Sequence, residues 1–253
     1  MIKKLTLVGA GPGDPDLISV KGVKALQNAR VVLYDALVHT DLLDYAPENS
    51  TKIFVGKRSG AHSYKQEKIN EIIVSQALTK GSVVRLKGGD PFIFGRGHEE
   101  KEYAESFGIE VEVIPGISSA TSLSGLQSIP LTRREITHSF WVTTATGSEN
   151  ELTGDIKVAA GTNATLVVLM GMKKLPQISK LFKVLGKAET PVLIIQNGSL
   201  PGEQIVVGTM ENIVEKVEER KIGTPAIIVI GEVVKLHPEF VMEYVSNNYY
   251  YEG

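Results

Sequence analysis

Three glycine-rich turns in this chain each follow a short apolar run, and their residue types limit what they can hold. The first, Gly9-Ala10-Gly11-Pro12-Gly13-Asp14-Pro15, invites a dinucleotide reading, with Asp35 at the end of the next apolar run as the ribose ligand. The spacing does not fit. A pyrophosphate fingerprint needs G-x-G-x-x-G opening directly into a helix, whereas here the third glycine comes one residue early and Asp14-Pro15 follows. Pro12 and Pro15 also remove amide donors that a pyrophosphate would use, and Asp14 would repel it. The turn therefore favours close backbone approach to a ligand without phosphates; the alternative is a tight strand–helix turn that holds nothing. The second turn, Lys87-Gly88-Gly89-Asp90-Pro91, runs on into Phe92-Ile93-Phe94-Gly95-Arg96-Gly97. Glycines beside an acid and an apolar pair suit a flat ring joined to a hydroxylated sugar. The third, Pro115-Gly116-Ile117-Ser118-Ser119-Ala120, sends small hydroxylic residues into a helix, which a helix cap alone would explain.

The cations Lys57, Arg58, Lys87, Arg96, Arg133 and Arg134 fall at strand ends or in loops, in a chain whose net charge is −2. They read either as solvated surface charges or as a set converging on a polyanion, for which Arg is the natural two-bond partner of a carboxylate. His62 is either a further carboxylate partner or a loop residue. The net charge argues against bulk attraction to nucleic acid or an anionic membrane. The chain has no cysteine, which excludes disulfides, thiol nucleophiles and thiolate-ligated metals. Its five histidines form no metal-binding pair, so no metal is expected. The apolar run at the N-terminus is too short for a signal or a membrane span, and a cytoplasmic protein is expected.

The elements that must position these residues alternate. Residues 4–8, 31–34, 53–55, 83–86 and 111–114 read as strands, and 20–27, 66–78 and 97–107 as helices. That pattern predicts an α/β fold whose mostly parallel sheet is covered on both faces, with the turns along one edge. The second half repeats the alternation, with strands at 139–144, 165–170, 192–196, 205–207 and 226–230 and helices at 174–185 and 211–220. Residues 124–135 read as the crossover between halves, giving domains of 1–130 and 131–253. Residues 149–162, rich in Gly, Asn and Thr, read as a loop, and the tyrosine-rich tail from 247 carries no pattern.

The segments LVGAGPGDPDLISVKG, VVLYDALV, GKRSGAHS, VVRLKGGDPFIFGRG, PGISSA and IPLTRR, with the later VVLMG, QNGSLPGEQIVVGT and TPAIIVIGEVV, together resemble the tetrapyrrole (corrin/porphyrin) methylase family. The resemblance runs from residue 7 to about residue 234. It implies two α/β domains with a cleft between them, the class III fold of methyltransferases that use S-adenosylmethionine (SAM), and a homodimer. SAM, leaving as S-adenosylhomocysteine, would contact Pro12, Gly88, Gly89, Asp90, Ile93, Ser118, Ser119, Met170, Gly198 and Ala226. Asp35, Arg96, Glu99 and Arg134 match positions that face the macrocycle, and Lys57, Arg58 and His62 are assigned to substrate.

The implied reaction is methylation of uroporphyrinogen III at two ring carbons to give precorrin-2, on the branch to sirohaem and cobalamin. The chain starts almost at the first strand, which fits a methylase with one activity. Three departures from the family pattern bear on the substrate pocket. His98 stands where a glycine is usual, Arg133 where the pattern LTHR has histidine, and Thr144-Ala145-Thr146-Gly147 replaces the usual Thr-Gly-His. The rival activities are methylation of a later precorrin, or of diphthine or ribosomal RNA, in the same family. Outside it, the rivals are an NAD(P)-dependent oxidoreductase or a binding protein without turnover.

Overall fold

The computed structural model describes residues 3–56, 64–145 and 151–242. The chain divides into two compact units, Met1–Ser119 and Ala120–Gly253.

The first unit contains strands β1 (Lys4–Gly9), β2 (Val31–Tyr34), β3 (Thr51–Phe54), β4 (Ser82–Lys87) and β5 (Glu110–Ile114). They form one sheet in the order β3-β2-β4-β1-β5, with every neighbouring pair parallel. Helices α1 (Val20–Gln27), α2 (Gln66–Lys80) and α3 (Gly97–Glu105), with a 3-10 segment (Thr40–Tyr45) between β2 and β3, supply the crossovers that parallel pairing demands. Side chains alternate between the faces as strand geometry requires. Leu5, Leu7, Val31, Leu33 and Val83 pack with Ile69, Ile73 and Val74 of α2 and Ala104 of α3. Val8, Val32, Val84 and Leu86 pack on the other face with Leu26 of α1 and with Leu42 and Leu43. Burial on both faces explains why these strands read as continuous apolar runs.

Helix α4 (Ser119–Leu126) opens the second unit, followed by β6 (Phe140–Thr144), α5 (Gly154–Gly161), β7 (Thr165–Leu169), α6 (Leu175–Val184), β8 (Pro191–Gln196), β9 (Gln204–Thr209), α7 (Ile213–Glu219) and β10 (Ala226–Ile230). The sheet order is β6-β7-β10-β8-β9. Only β6 and β7 are parallel; β7–β10, β10–β8 and β8–β9 are antiparallel. The repeated alternation in the sequence thus does not give a second mostly parallel sheet. Two causes combine: residues 197–203 are too few for a crossover, so β8 and β9 form a hairpin, and β10 enters antiparallel between β7 and β8.

Two further expectations are corrected. Residues 154–161, read as loop, form α5, because Ile156, Ala159 and Ala160 put an apolar stripe on the core formed by Leu166, Val168 and Ile178. The crossover stretch from 124 begins inside α4, whose Leu123 packs against Leu193 and Ile195.

Candidate functional site

At the C-terminal edge of the first sheet the glycine turns converge until their backbones touch. Gly89 N–H donates to the Gly11 carbonyl at 2.7 Å, Gly11 N–H donates back at 3.3 Å, and Ala10 N–H donates to the Lys87 carbonyl at 2.8 Å. A side chain at Gly9 would begin 2.4 Å from the Gly116 backbone, and one at Gly116 would begin 2.2 Å from the Gly89 carbonyl oxygen. Both positions therefore require glycine. Asp90 ties the second turn to the third: its Oδ2 accepts from Gly116 N–H at 3.0 Å and its Oδ1 from Phe92 N–H at 2.7 Å. The first turn does not open into a helix. Asp14 caps a short 3-10 turn, Pro15–Leu17, and α1 starts only at Val20, behind Ser19, whose Oγ accepts from Gly22 N–H at 3.1 Å. The first turn therefore lacks the directly following helix N-terminus that a dinucleotide fingerprint supplies as its anion-binding device.

Around this braced edge the surface is apolar and open. Nothing lies within 4 Å of where a Gly89 side chain would start. Leu37, Phe92, Ile93, Phe94 and Ile117 are all exposed. Pro12 is half-buried, Ser118 is buried, and Ser119 begins α4. Phe94 and Arg96 adopt left-handed φ values of 53° and 57° on either side of Gly95. Non-glycine residues in that region cost about 1–3 kcal/mol each and mark a turn fixed by its surroundings.

Beneath the edge lies a charged network that the sequence reading did not assemble. Arg85 and Lys87 project from β4 onto the face covered by α2 and α3, and both are buried. Glu100 of α3, also buried, accepts from Lys87 Nζ with both carboxylate oxygens at 3.0 Å and from Arg85 Nε at 3.2 Å. Gln66 Nε2 of α2 donates to the same Glu100 Oε1 at 3.2 Å. Arg85 Nη1 donates to the Leu86 carbonyl at 2.8 Å, and Nη2 donates to Asp35 Oδ2 at 3.3 Å. Burial pushes the Lys87 ammonium below its usual range, and Arg85 pushes the same way; Glu100 and Asp35 oppose the shift. Lys87 is accordingly not a surface cation awaiting a polyanion. The signal in the sequence was two charges at alternate positions of an apolar strand, VVRLK, which places both on one buried face.

Arg96, by contrast, is exposed and makes a two-bond pair with Glu99, Nε to Oε1 at 2.9 Å and Nη2 to Oε2 at 2.6 Å. The hydrogen bond from Arg96 holds the Glu99 carboxyl below the usual carboxylate range, so a paired Glu99 is a weak base. His98 stacks edge-on against Phe92 with ring centroids 6.1 Å apart and lies 3.4 Å from Glu102. Lys57, Arg58 and His62 lie outside the described residues, as do Thr146 and Gly147.

In the second unit, Met170 follows β7, Gly198 follows β8 and Ala226 starts β10. Because β10 runs antiparallel between the other two, these three positions share one sheet edge. Met170 is exposed in a left-handed conformation, φ 54°. Gly198 backs onto α4; a side chain there would begin 2.5 Å from the Leu123 side chain. Arg133 and Arg134 are exposed on a tight turn closed by Arg133 N–H to the Thr137 carbonyl at 3.1 Å. Among the described residues no cluster of potential metal ligands occurs, and no helix is long and apolar enough to cross a membrane.

Residues 4–214 match the family of Tetrapyrrole (Corrin/Porphyrin) Methylases. The chain belongs to this family. The methylase is 44% identical over 238 residues to uroporphyrinogen-III C-methyltransferase of Methanocaldococcus jannaschii, covering 93% of this chain and 98% of that protein. It is 46% identical to siroheme synthase of Photorhabdus laumondii; 92% of the methylase is matched, but it spans only 50% of that larger protein. A solved structure of Uroporphyrin-III C-methyl transferase from Thermus thermophilus, complexed with S-adenyl homocysteine, superposes with a TM-score of 0.78 at 38% identity. That match covers 92% of the methylase and 99% of the solved chain.

Proposed function

We propose that this methylase transfers methyl groups from SAM to two ring carbons of uroporphyrinogen III, yielding precorrin-2. The observation that carries the reading is the braced glycine edge. It offers open backbone at Gly89, an exposed apolar rim and an acid at Asp90, and its first turn opens into a short 3-10 segment rather than the helix that a pyrophosphate fingerprint needs. These features fit an adenosine bearing an amino acid, and the match to uroporphyrinogen-III C-methyltransferases along most of both chains supports the substrate. Pro12, Gly88, Gly89, Asp90, Ile93, Ser118, Ser119, Met170, Gly198 and Ala226 are the residues assigned to SAM. When bound, SAM supplies a methyl group on a sulfonium cation. Asp35, Arg96, Glu99 and Arg134 are assigned to the macrocycle, with Lys57, Arg58 and His62 as further substrate contacts. A homodimer and a cytoplasmic location belong to the same reading.

The chain's own part in the chemistry is mainly orientation. A pyrrole carbon of the reduced macrocycle is already electron-rich, and its attack on a sulfonium methyl disperses charge, so no oxyanion-type hole is needed. Holding the partners in line contributes roughly 7–11 kcal/mol in well-oriented reactions. Arg96 orients a substrate carboxylate. A Glu99 freed from Arg96 is the nearer candidate for taking up the proton lost from the methylated carbon. Incubation with uroporphyrinogen III and methyl-labelled SAM is expected to put label into the pigment, and calorimetry is expected to detect SAM but not NAD(P). Tighter binding of NAD than of SAM would overturn the assignment.

Asp90→Ala is expected to weaken SAM binding about ten- to hundredfold, the equivalent of one lost charge-assisted hydrogen bond at roughly 1.5–3 kcal/mol. Its carboxylate fixes both the Gly116 amide and the start of the apolar loop, so the variant loosens the cradle as well as removing an acceptor. Wild-type affinity in a folded Asp90→Ala protein would place the cofactor elsewhere.

A further inference from the structure

We propose that Arg85 is a positioning residue for methyl transfer: by bridging Glu100 and Asp35 it fixes the Asp35 carboxylate in one orientation at the rim of the first sheet. The inference rests on the reading of Asp35 as a residue that faces the macrocycle.

Charge counting points the same way. Lys87 and Glu100 already form a neutral buried pair. Arg85, with a side chain only 4% exposed, adds a second cation that Glu100 cannot also neutralise, and the remaining partner is Asp35. Stability alone would be served as well by apolar residues in place of the whole network, because buried ion pairs seldom outperform well-packed hydrophobic side chains. The guanidinium is held by acceptors on three elements: Glu100 on α3, the Leu86 carbonyl on β4, and Asp35 at the end of β2. Asp35 is in turn held twice, Oδ2 by Arg85 and Oδ1 by Leu37 N–H at 3.1 Å. Its side chain nevertheless stays 23% exposed, so its free lone pairs are presented to solvent in a set direction. A carboxylate so held suits acceptance from a pyrrole N–H, which would fix the macrocycle in its plane. Lysine at position 85 keeps the charge but lacks the planar fork that reaches all three acceptors.

The test is a double-mutant cycle on the full chain, comparing wild type, Arg85→Lys, Asp35→Asn and the double variant. The readouts are kcat and KM for uroporphyrinogen III at saturating SAM, and SAM affinity by calorimetry. Arg85→Lys is expected to lower kcat about a hundredfold, the scale of an ångström-level misplacement, with SAM affinity unchanged. In the Asp35→Asn background the same change is expected to cost nothing further, because coupled residues are not additive. Equal losses in both backgrounds, or wild-type turnover in Arg85→Lys, would overturn the inference. Wild-type turnover in Asp35→Asn would overturn it together with the assignment of Asp35, whereas wild-type protein that never labels the pigment would sink the proposed function itself. If Arg85→Lys does not fold, Arg85→Gln replaces it and leaves the Lys87–Glu100 pair neutral.

Discussion

Arg96→Ala is expected to abolish or severely slow methylation of uroporphyrinogen III while leaving SAM affinity nearly unchanged. The substrate is a polycarboxylate and the protein has a net charge of −2, so its capture must rest on a few local cations. Of the cations singled out in the sequence, Lys87 is buried against Glu100, which leaves the described set at Arg96, Arg133 and Arg134. Arg96 sits one loop beyond the glycine cradle, and its guanidinium is occupied by Glu99 through two bonds. A substrate carboxylate would replace Glu99 on the same two donors, since both present the same planar geometry. The exchange releases Glu99, which connects binding with the appearance of a base. An exposed ion pair contributes about 0–1 kcal/mol, so losing the pair with Glu99 should not unfold the protein. The expected loss in turnover is instead about a hundredfold or more, because an unheld macrocycle is misplaced relative to the methyl group. Paired calorimetry with SAM and turnover on one folded preparation decides the matter. Collapse of both would move Arg96 into the cofactor site, and no change in either would make it a plain surface charge. Raised salt is expected to weaken substrate capture more than SAM binding, because screening acts on the longer-range attraction of the polyanion.

Glu100→Ala is expected to destabilise the fold by about 3–5 kcal/mol, the usual cost of removing one member of a buried ion pair. The substitution strands Lys87, whose carboxylate contacts at 3.0 Å are both with Glu100, and leaves Arg85 with Asp35 and the Leu86 carbonyl alone. It also removes the acceptor that joins Gln66 at the start of α2 to α3. Glu100→Gln keeps the shape and one acceptor and should cost less. Urea unfolding followed by circular dichroism would register the loss as a lower midpoint with an unchanged slope. A midpoint equal to wild type in Glu100→Ala would mean that water or a rearranged Asp35 takes over the role of the carboxylate.

These two residues divide what was readable in the chain from what was not. The strands and helices of the first unit follow from short apolar runs alternating with helical stretches, and α1 falls on the expected span, Val20–Gln27. The glycine turns, the mismatch with a pyrophosphate fingerprint and the family were likewise visible, because they depend on residue type at fixed local spacing. Arg96 and Glu99 were legible for the same reason: three positions apart across the first turn of a helix, they are neighbours whatever the rest of the chain does.

Glu100 was not legible, although it is the very next residue. On a helix the following position points about a quarter-turn away, and only the packing of α3 on the sheet turns that side inward to meet Arg85 and Lys87. Lys87 looked like one more strand-end cation because a glycine turn follows it directly, while its actual partner is thirteen residues on. The mixed second sheet was misjudged for a related reason. Alternating strand and helix patterns state which elements exist, but strand direction depends on where each chain segment re-enters the sheet, and β10 does so between β7 and β8. Sequence therefore determined the elements other than α5, the small-residue turns and the family, all of which are local in spacing. The burial of charge, the brace from Asp90 to Gly116 and the line from Glu100 through Arg85 to Asp35 were decided only in the tertiary structure, because each joins residues that the chain separates and packing alone brings within hydrogen-bonding distance.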